Sequence, residues 1–196
     1  MIYLIRHGQT EYNVARRFQG AIDSPLTALG AAQARAMGLA LRNLIDPQDV
    51  ALFSSPRGRT IETAELIAQE ADIAGNILID EGLAEISLGS WDGLTLDQIA
   101  QQHQADLHCH NWFFQTPDGE RYEPFERRLT AALARIAGHD AATKIIVSHG
   151  VASRVLRGIH AGLPREEAVS LPVPQGVIYR LDPGEIVEID STEAII

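Results

Sequence analysis

Short apolar runs alternate with segments of helical periodicity along this chain, and no other feature of the sequence constrains the fold as tightly. Residues 2–6, 50–54, 76–80 and 143–148 read as short buried strands. Between them, residues 27–44 carry Leu29, Ala32, Ala36, Leu39 and Ala40 at helical spacing, and residues 56–71 form a second helix. Ser24-Pro25-Leu26-Thr27 supplies turn and N-cap chemistry ahead of the first helix, and Asp46-Pro47 stops it. A further helix over 151–161 follows the fourth strand, and residues 177–181 form the last strand, with 186–189 as a short partner. Strands separated by helices need crossover connections. The expected fold class is therefore α/β, a three-layer α/β/α sandwich around a mostly parallel central sheet. Residues 95–138 show no strand pattern and read as a helical insertion over the site. The 196 residues suffice for one substantial core, so 1–196 is expected to be a single domain.

A formal net charge of −10 argues against nucleic-acid binding, which needs a basic face. Any anionic ligand would then have to meet positive charge concentrated in a pocket. Cys109 is the only cysteine, which leaves neither a disulfide framework nor a thiolate zinc site. The apolar run 1–5 is too short for a signal segment, and no run approaches the length of a membrane span. A cytoplasmic protein without a membrane partner is expected.

Arg6-His7-Gly8 closes the first strand, and His149-Gly150 follows the fourth. In sheets of this class ligands bind beyond the carboxyl ends of the strands, so the two His-Gly pairs are expected to converge. Residues 54–64 leave the second strand and open a helix, which sets an arginine at a helix amino terminus, a position that favours anions. In the loop 83–93, Glu85 is bracketed by apolar residues that would desolvate it and raise its pKa. Two histidines, two arginines and one half-buried acid make a coherent kit for phosphoryl transfer. A phosphate monoester dianion must be neutralised before a nucleophile approaches, and the planar forks of Arg6 and Arg59 match its oxygens. A neutral imidazole can attack phosphorus, His149 can hydrogen-bond the transferring oxygens, and Glu85 can protonate the leaving alkoxide and then take a proton from water.

These residues resemble the histidine phosphatase superfamily, also called the phosphoglycerate mutase-like family. The resemblance rests on Leu4-Ile5-Arg6-His7-Gly8-Gln9-Thr10-Glu11-Tyr12-Asn13, on Phe18-Gln19-Gly20, and on Asp23-Ser24-Pro25-Leu26-Thr27-Ala28-Leu29-Gly30. It continues through Ser54-Ser55-Pro56, Arg59, Thr63-Ala64, Ala84-Glu85-Ile86 and Val147-Ser148-His149-Gly150, with Pro117-Asp118-Gly119-Glu120 similar to the loop that opens a helix in the inserted region. The resemblance implies that His7 becomes transiently phosphorylated, and that Arg6, Arg59 and His149 hold the phosphate with Asn13 as a further ligand. It implies that Gln19 and Gly20 line the entrance, that Gly150 belongs to the substrate site beside His149, and that Glu85 is the acid–base. No cofactor and no metal are implied, and the expected ligand is a small phosphorylated metabolite. A homodimer follows from the resemblance alone. Gln175-Gly176 stands before the terminal strand where relatives often carry asparagine.

Each residue also has a plainer reading. Glu85 could cap a helix, Asn13 could be an N-cap, Arg59 could be a solvated helix arginine, and Arg57 is a rival for it. His103, His108, Cys109 and His110 look superficially like metal ligands, but His108 and His110 would fall on different helical faces and no partner motif follows. Trp112-Phe113-Phe114 reads either as a substrate-facing wall or as core. Glu120, Arg121 and Tyr122 are specificity candidates. The expected activity is a metal-independent phosphomonoesterase rather than a mutase, because mutases of the resembled family carry a longer inserted region with more basic residues. Alpha-ribazole phosphatase and broad-specificity sugar phosphatases are relatives of this length. A phosphoglycerate mutase, a phosphohistidine protein phosphatase and a phosphate-binding module without turnover are the alternatives. The unbroken catalytic set speaks against the last.

Overall fold

A computed structural model describes residues 1–103 and 111–191, so the His108-Cys109-His110 cluster lies outside the described residues. Six strands, β1 (Ile2–Arg6), β2 (Val50–Ser54), β3 (Leu78–Ile79), β4 (Thr143–Ser148), β5 (Val177–Asp182) and β6 (Glu185–Asp190), form one sheet in the order β3-β2-β4-β1-β5-β6. The first four in that order are parallel neighbours, while β5 runs antiparallel to both β1 and β6. The helices are α1 (Glu11–Val14), α2 (Ala28–Arg42), α3 (Gly58–Glu70), α4 (Leu96–His103), α5 (Tyr122–Ala137), α6 (Gly150–Ala161) and α7 (Arg165–Ser170).

The period-two alternation of each strand sorts the core onto two faces. Tyr3, Ile5, Leu52, Ile145 and Val147 pack with Met37 and Leu41 of α2 and with Ala64 and Ile67 of α3. Leu4, Phe53, Ile146 and Tyr179 point the other way, against Phe125, Leu129 and Ile136 of α5 and Val155 and Leu156 of α6. This is the three-layer α/β/α arrangement. Each fully buried Leu or Ile contributes about 1.5–3 kcal/mol, and a one-residue slip of β1 would exchange its two faces, so the register of Arg6 opposite Ser148 is firmly set.

Three boundaries differ from expectation. The third strand shrinks from 76–80 to Leu78–Ile79, two exposed residues at the sheet edge. Asp80 ends it, because its carboxylate accepts the Gly82 N–H at 2.7 Å and turns the chain. The expected short partner at 186–189 is a full six-residue strand, joined to β5 by a tight turn in which Gly184 takes a φ of 79° that favours glycine. The insertion splits in function. Its first part approaches the carboxyl end of the sheet, whereas α5 is a layer helix whose buried face belongs to the main core. Among the described residues no helix is long and apolar enough to cross a membrane.

The chain after β1 runs directly over the first turn of α2. A Cβ on Gly8 would lie 2.3 Å from the carbonyl oxygen of Gly30, so only glycine allows the backbones this close. Thr27 caps α2 by accepting the Gly30 N–H at 3.0 Å.

Candidate active site

Because β1 and β4 are adjacent and in parallel register, the residues that follow them leave the sheet side by side. The His7 N–H donates to Ser148 O at 3.0 Å. The His7 and His149 rings stand 5.4 Å apart between centroids and 66° to each other. Both are enclosed, His7 at 4% exposure and His149 at 0%. The expected convergence of the two His-Gly pairs is therefore present.

His7 Nδ1 lies 2.8 Å from Gly8 O. A carbonyl oxygen only accepts, so Nδ1 carries the proton and Nε2 keeps its lone pair. Burial, then the Arg6 and Arg59 cations, hold the His7 imidazole well below the usual histidine range, opposed by the Gly8 carbonyl. Burial first, then Arg59, His7, Arg57 and Arg6, does the same to His149. Both rings are neutral at neutral pH. His149 Nε2 lies 2.7 Å from Ser55 Oγ, and its Nδ1 is buried without a partner.

Arg59 is 1% exposed at the start of α3, which rules out the solvated reading, and the half-buried Arg57 is the helix N-cap residue, without a side-chain cap bond. The open fork expected of Arg59 is not what the fold presents. Nη1 donates to Ile22 O at 2.8 Å and Asp23 Oδ1 at 2.9 Å, and Nη2 to Gln19 O at 3.2 Å and Gly20 O at 3.3 Å. Only Nε remains unpartnered and buried. Arg6 spends Nη1 on Val173 O at 2.7 Å and likewise leaves a buried Nε free.

Glu85, 9% exposed, is buried as its apolar flanks suggested, but its oxygens are hydrogen-bonded. Oε1 accepts the N–H groups of Ile86 at 3.1 Å and Ala152 at 3.0 Å, and Oε2 accepts Val151 N–H at 3.0 Å. The capping reading of Glu85 therefore holds, since Val151 and Ala152 are in the first turn of α6, whose own N-cap residue His149 makes no side-chain cap bond. A Cβ at Gly150 would stand 3.7 Å from Arg6 Cζ and from Glu85 Oε2, so these two groups flank Gly150.

Thr10, not Asn13, is the N-cap of α1; Asn13 is the reciprocal partner in the capping box. Asn13 Oδ1 accepts from Thr10 N–H at 3.0 Å and from Gln175 Nε2 at 3.0 Å, so its Nδ2 donors are the end left for the pocket it lines. Gln175 also donates to His7 O at 3.3 Å, which gives it a positioning role between the two. Gln19 lines the pocket and donates to Thr10 Oγ1 at 2.7 Å, with Oε1 buried and unpartnered. Gly20 lies behind the wall, where its N–H donates to Asp92 Oδ1 at 2.5 Å.

The pocket holds about 690 Å³ and runs from Arg6, His7 and Glu85 out to an aromatic wall of Phe18, Trp112 and Phe113. The aromatic triplet therefore divides, because Phe114 turns into the core against Phe125. The specificity candidates Glu120, Arg121 and Tyr122 are elsewhere. Arg121 donates to Phe114 O at 2.8 Å, Tyr122 to Glu126 at 3.0 Å, and Glu120 pairs with Arg128 at 2.8 Å. Contacts within residues 114–128 claim all three, and none of them lines the pocket. Sequence reasoning missed Ser55, Arg16, Arg17 and Arg154, although Arg154 is one helical turn from Gly150 and so on the same face. Among the described residues no group of three His, Cys, Asp or Glu could hold a metal ion.

The family model of the histidine phosphatase superfamily (branch 1) matches residues 2–186. A probable phosphoglycerate mutase GpmB from Salmonella arizonae is 35% identical, covering 92% of this chain and 84% of that protein. Among solved structures, YhfR of Bacillus stearothermophilus is 32% identical with a TM-score of 0.75 over 95% of this chain and 93% of that one. A mycobacterial glucosyl-3-phosphoglycerate phosphatase, Rv2419c, is 26% identical with a TM-score of 0.78 over 91% of this chain and 90% of that one.

Proposed function

Because this chain belongs to the histidine phosphatase superfamily, we propose that it is a phosphomonoesterase that cleaves a small phosphorylated metabolite through phosphohistidine at His7. The observation that carries the reading is the His7 Nδ1 contact to Gly8 O at 2.8 Å, which fixes the tautomer with Nε2 as nucleophile, in a ring kept neutral by burial and two cations. Nε2 attacks phosphorus as the bond to the ester oxygen breaks. Glu85 gives that oxygen a proton; of its two oxygens, Oε2 has one N–H donor against two at Oε1, and so has room for it. Water then attacks the phosphohistidine, Glu85 takes its proton, and His7 returns to its starting tautomer.

The transferring oxygens meet Arg6 Nε, Arg59 Nε, Asn13 Nδ2 and His149 Nδ1. For His149 to donate there, Ser55 Oγ–H must donate into its Nε2, and the 2.7 Å contact allows this. Guanidinium groups thus supply the charge neutralisation that a divalent cation provides elsewhere, so turnover is expected without added metal. Phosphate monoesters assayed in chelator test this. Hydrolysis should persist, vanish in His7→Ala, and leave an acid-labile, alkali-stable label on the protein from radioactive substrate. Activity abolished by chelator would refute it. The name of the 35% identical relative favours a second reading, mutase activity, in which the phosphoryl group returns to an acid. Isomerisation of 3-phosphoglycerate primed by the bisphosphorylated acid, faster than hydrolysis, would select it.

A further inference from the structure

Among the described residues, the phosphoryl chemistry leaves one half-buried pocket cation, Arg154, unemployed. Arg154 lies on the same face of α6 as Gly150 and Val151, and all three line the pocket. It is half-buried, its Nε is buried without a partner, and among the described residues it makes no hydrogen bond and no ion pair. Among the pocket arginines that combination is its own: Arg6 donates to Val173 O and Arg17 to Gly93 O, while Arg16 is exposed to solvent. The next arginine along the helix, Arg157, is fully employed by Ser153 O at 3.3 Å, by Pro172 O, and by the Tyr179 ring 3.9 Å away. Arg128 and Arg165, on neighbouring elements, have carboxylate partners.

A guanidinium cannot shed its proton, and Glu85 acts on Arg154 only as a charge out of hydrogen-bond reach, so partial burial costs free energy that an incoming anion in direct contact would return. The anion is not the transferring phosphoryl group. That group is met at the start of α6, beside Gly150, whereas Arg154 is four residues on, about 6 Å along the helix axis. Arg6 and Arg154 are also close enough to repel each other, and two separate anionic groups on one ligand would relieve both.

We propose that Arg154 is a specificity-determining residue that reads a second anionic group, a carboxylate or a second phosphate, on the substrate, so that the preferred substrates are phosphate monoesters carrying two anions about one helical turn apart. This rests on the phosphoryl site proposed above. The Arg154 fork accepts either anion in bidentate fashion.

Two matched pairs of esters test it: 3-phosphoglycerate with glycerol 3-phosphate, and propane-1,3-diol bisphosphate with 3-hydroxypropyl phosphate. In the wild-type protein, kcat/KM should favour the doubly anionic member of one pair by about tenfold or more. Arg154→Met should bring that ratio close to one, chiefly through KM on the charged ester, and Arg154→Lys should restore part of it. Which pair shows the ratio tells carboxylate from phosphate. A wild-type ratio near one in both pairs, or an equal loss on both members in Arg154→Met, would overturn the proposal. Calorimetric Kd values on His7→Ala, with and without Arg154→Met, give the same ratio independently of turnover. Esters that bind with the Arg154-dependent ratio but are never hydrolysed would overturn the phosphatase reading and sustain this one.

Discussion

Replacing Glu85 by glutamine separates the acid–base role from the structural one, because the geometry gives each a different magnitude. In Glu85→Gln the new amide oxygen can keep the two bonds now made by Oε1, to Ile86 N–H at 3.1 Å and Ala152 N–H at 3.0 Å. The amide nitrogen would replace Oε2 and face the Val151 N–H, now bonded at 3.0 Å, donor against donor. One such unsatisfied buried contact costs about 1–3 kcal/mol, well inside a typical stability of about 5–15 kcal/mol, so the variant stays folded. Removing a general acid costs about 10²–10⁴ in rate when the leaving group is a strong base. A nitrophenolate leaves without help, so phosphorylation of His7 by a nitrophenyl ester should be nearly spared while water attack on the phosphohistidine slows. Rapid mixing should then show a burst of one nitrophenolate per protein, a slow steady state, and phosphohistidine accumulating to near one per chain. Alkyl phosphates should show no burst. Equal losses on nitrophenyl and alkyl esters, with no burst on either, would refute the assignment of Glu85 as the proton donor and leave it a helix-capping carboxylate.

Acid should destabilise the fold before carboxylates titrate. Unfolded histidines bind protons below about pH 6.5, whereas His7 and His149, held neutral by burial and neighbouring arginines, do not, so stability is full above that pH and falls as pH is lowered through it. Denaturant titrations between pH 7.5 and 5 should show this, and His149→Gln should reduce the slope by up to about 1.4 kcal/mol per pH unit. An unchanged slope would mean that His149 is not buried neutral. Arg128→Met should cost about 2–4 kcal/mol, because it strands Glu120 and empties the bonds to Gly82 O, Ala84 O and Glu85 O that hold the acid loop. Its kcat on alkyl esters should fall further than on nitrophenyl esters; matching falls would show that the clamp does not position Glu85. Gly8→Ala places a Cβ 2.3 Å from Gly30 O, backbone against backbone, and should lower stability by about 1–3 kcal/mol or more together with activity, since Gly8 O is the acceptor for His7. A variant with unchanged Tm and kcat would show that β1 and α2 are not locked here.

Strand alternation and the side chains at strand ends were legible because both are local properties. A parallel sheet sends His7 and His149 to the same edge whatever lies between them. The commitments of those side chains were not legible, because their partners are distant in sequence. Arg59 reads as an open phosphate fork until the loop carbonyls of Gln19, Gly20 and Ile22 arrive across 37 to 40 residues. Glu85 reads as a desolvated acid until α6 brings N–H groups from 66 and 67 residues away. Of the pocket's cations Arg6 was legible, whereas Arg16, Arg17 and Arg154 were overlooked for the same reason, and together they resolve the tension between a charge of −10 and an anionic ligand. Arg6, Arg16, Arg17 and Arg154 line the pocket, and none has an ion pair among the described residues. The ion-paired Arg35, Arg42, Arg135 and Arg180 do not line it, and Arg59, paired with Asp23, keeps only its Nε free beside the histidines. At physiological salt the Debye length is about 8 Å, so the acidic exterior is screened from a ligand that has entered, while the half-buried guanidinium groups of Arg6 and Arg154 keep most of their force. Net charge governs the approach of the substrate; the unequal pairing of arginines governs what is held once it arrives. Raising ionic strength should therefore speed capture of a dianionic ester and weaken its binding only slightly, and a steep loss of kcat/KM with salt would contradict this division.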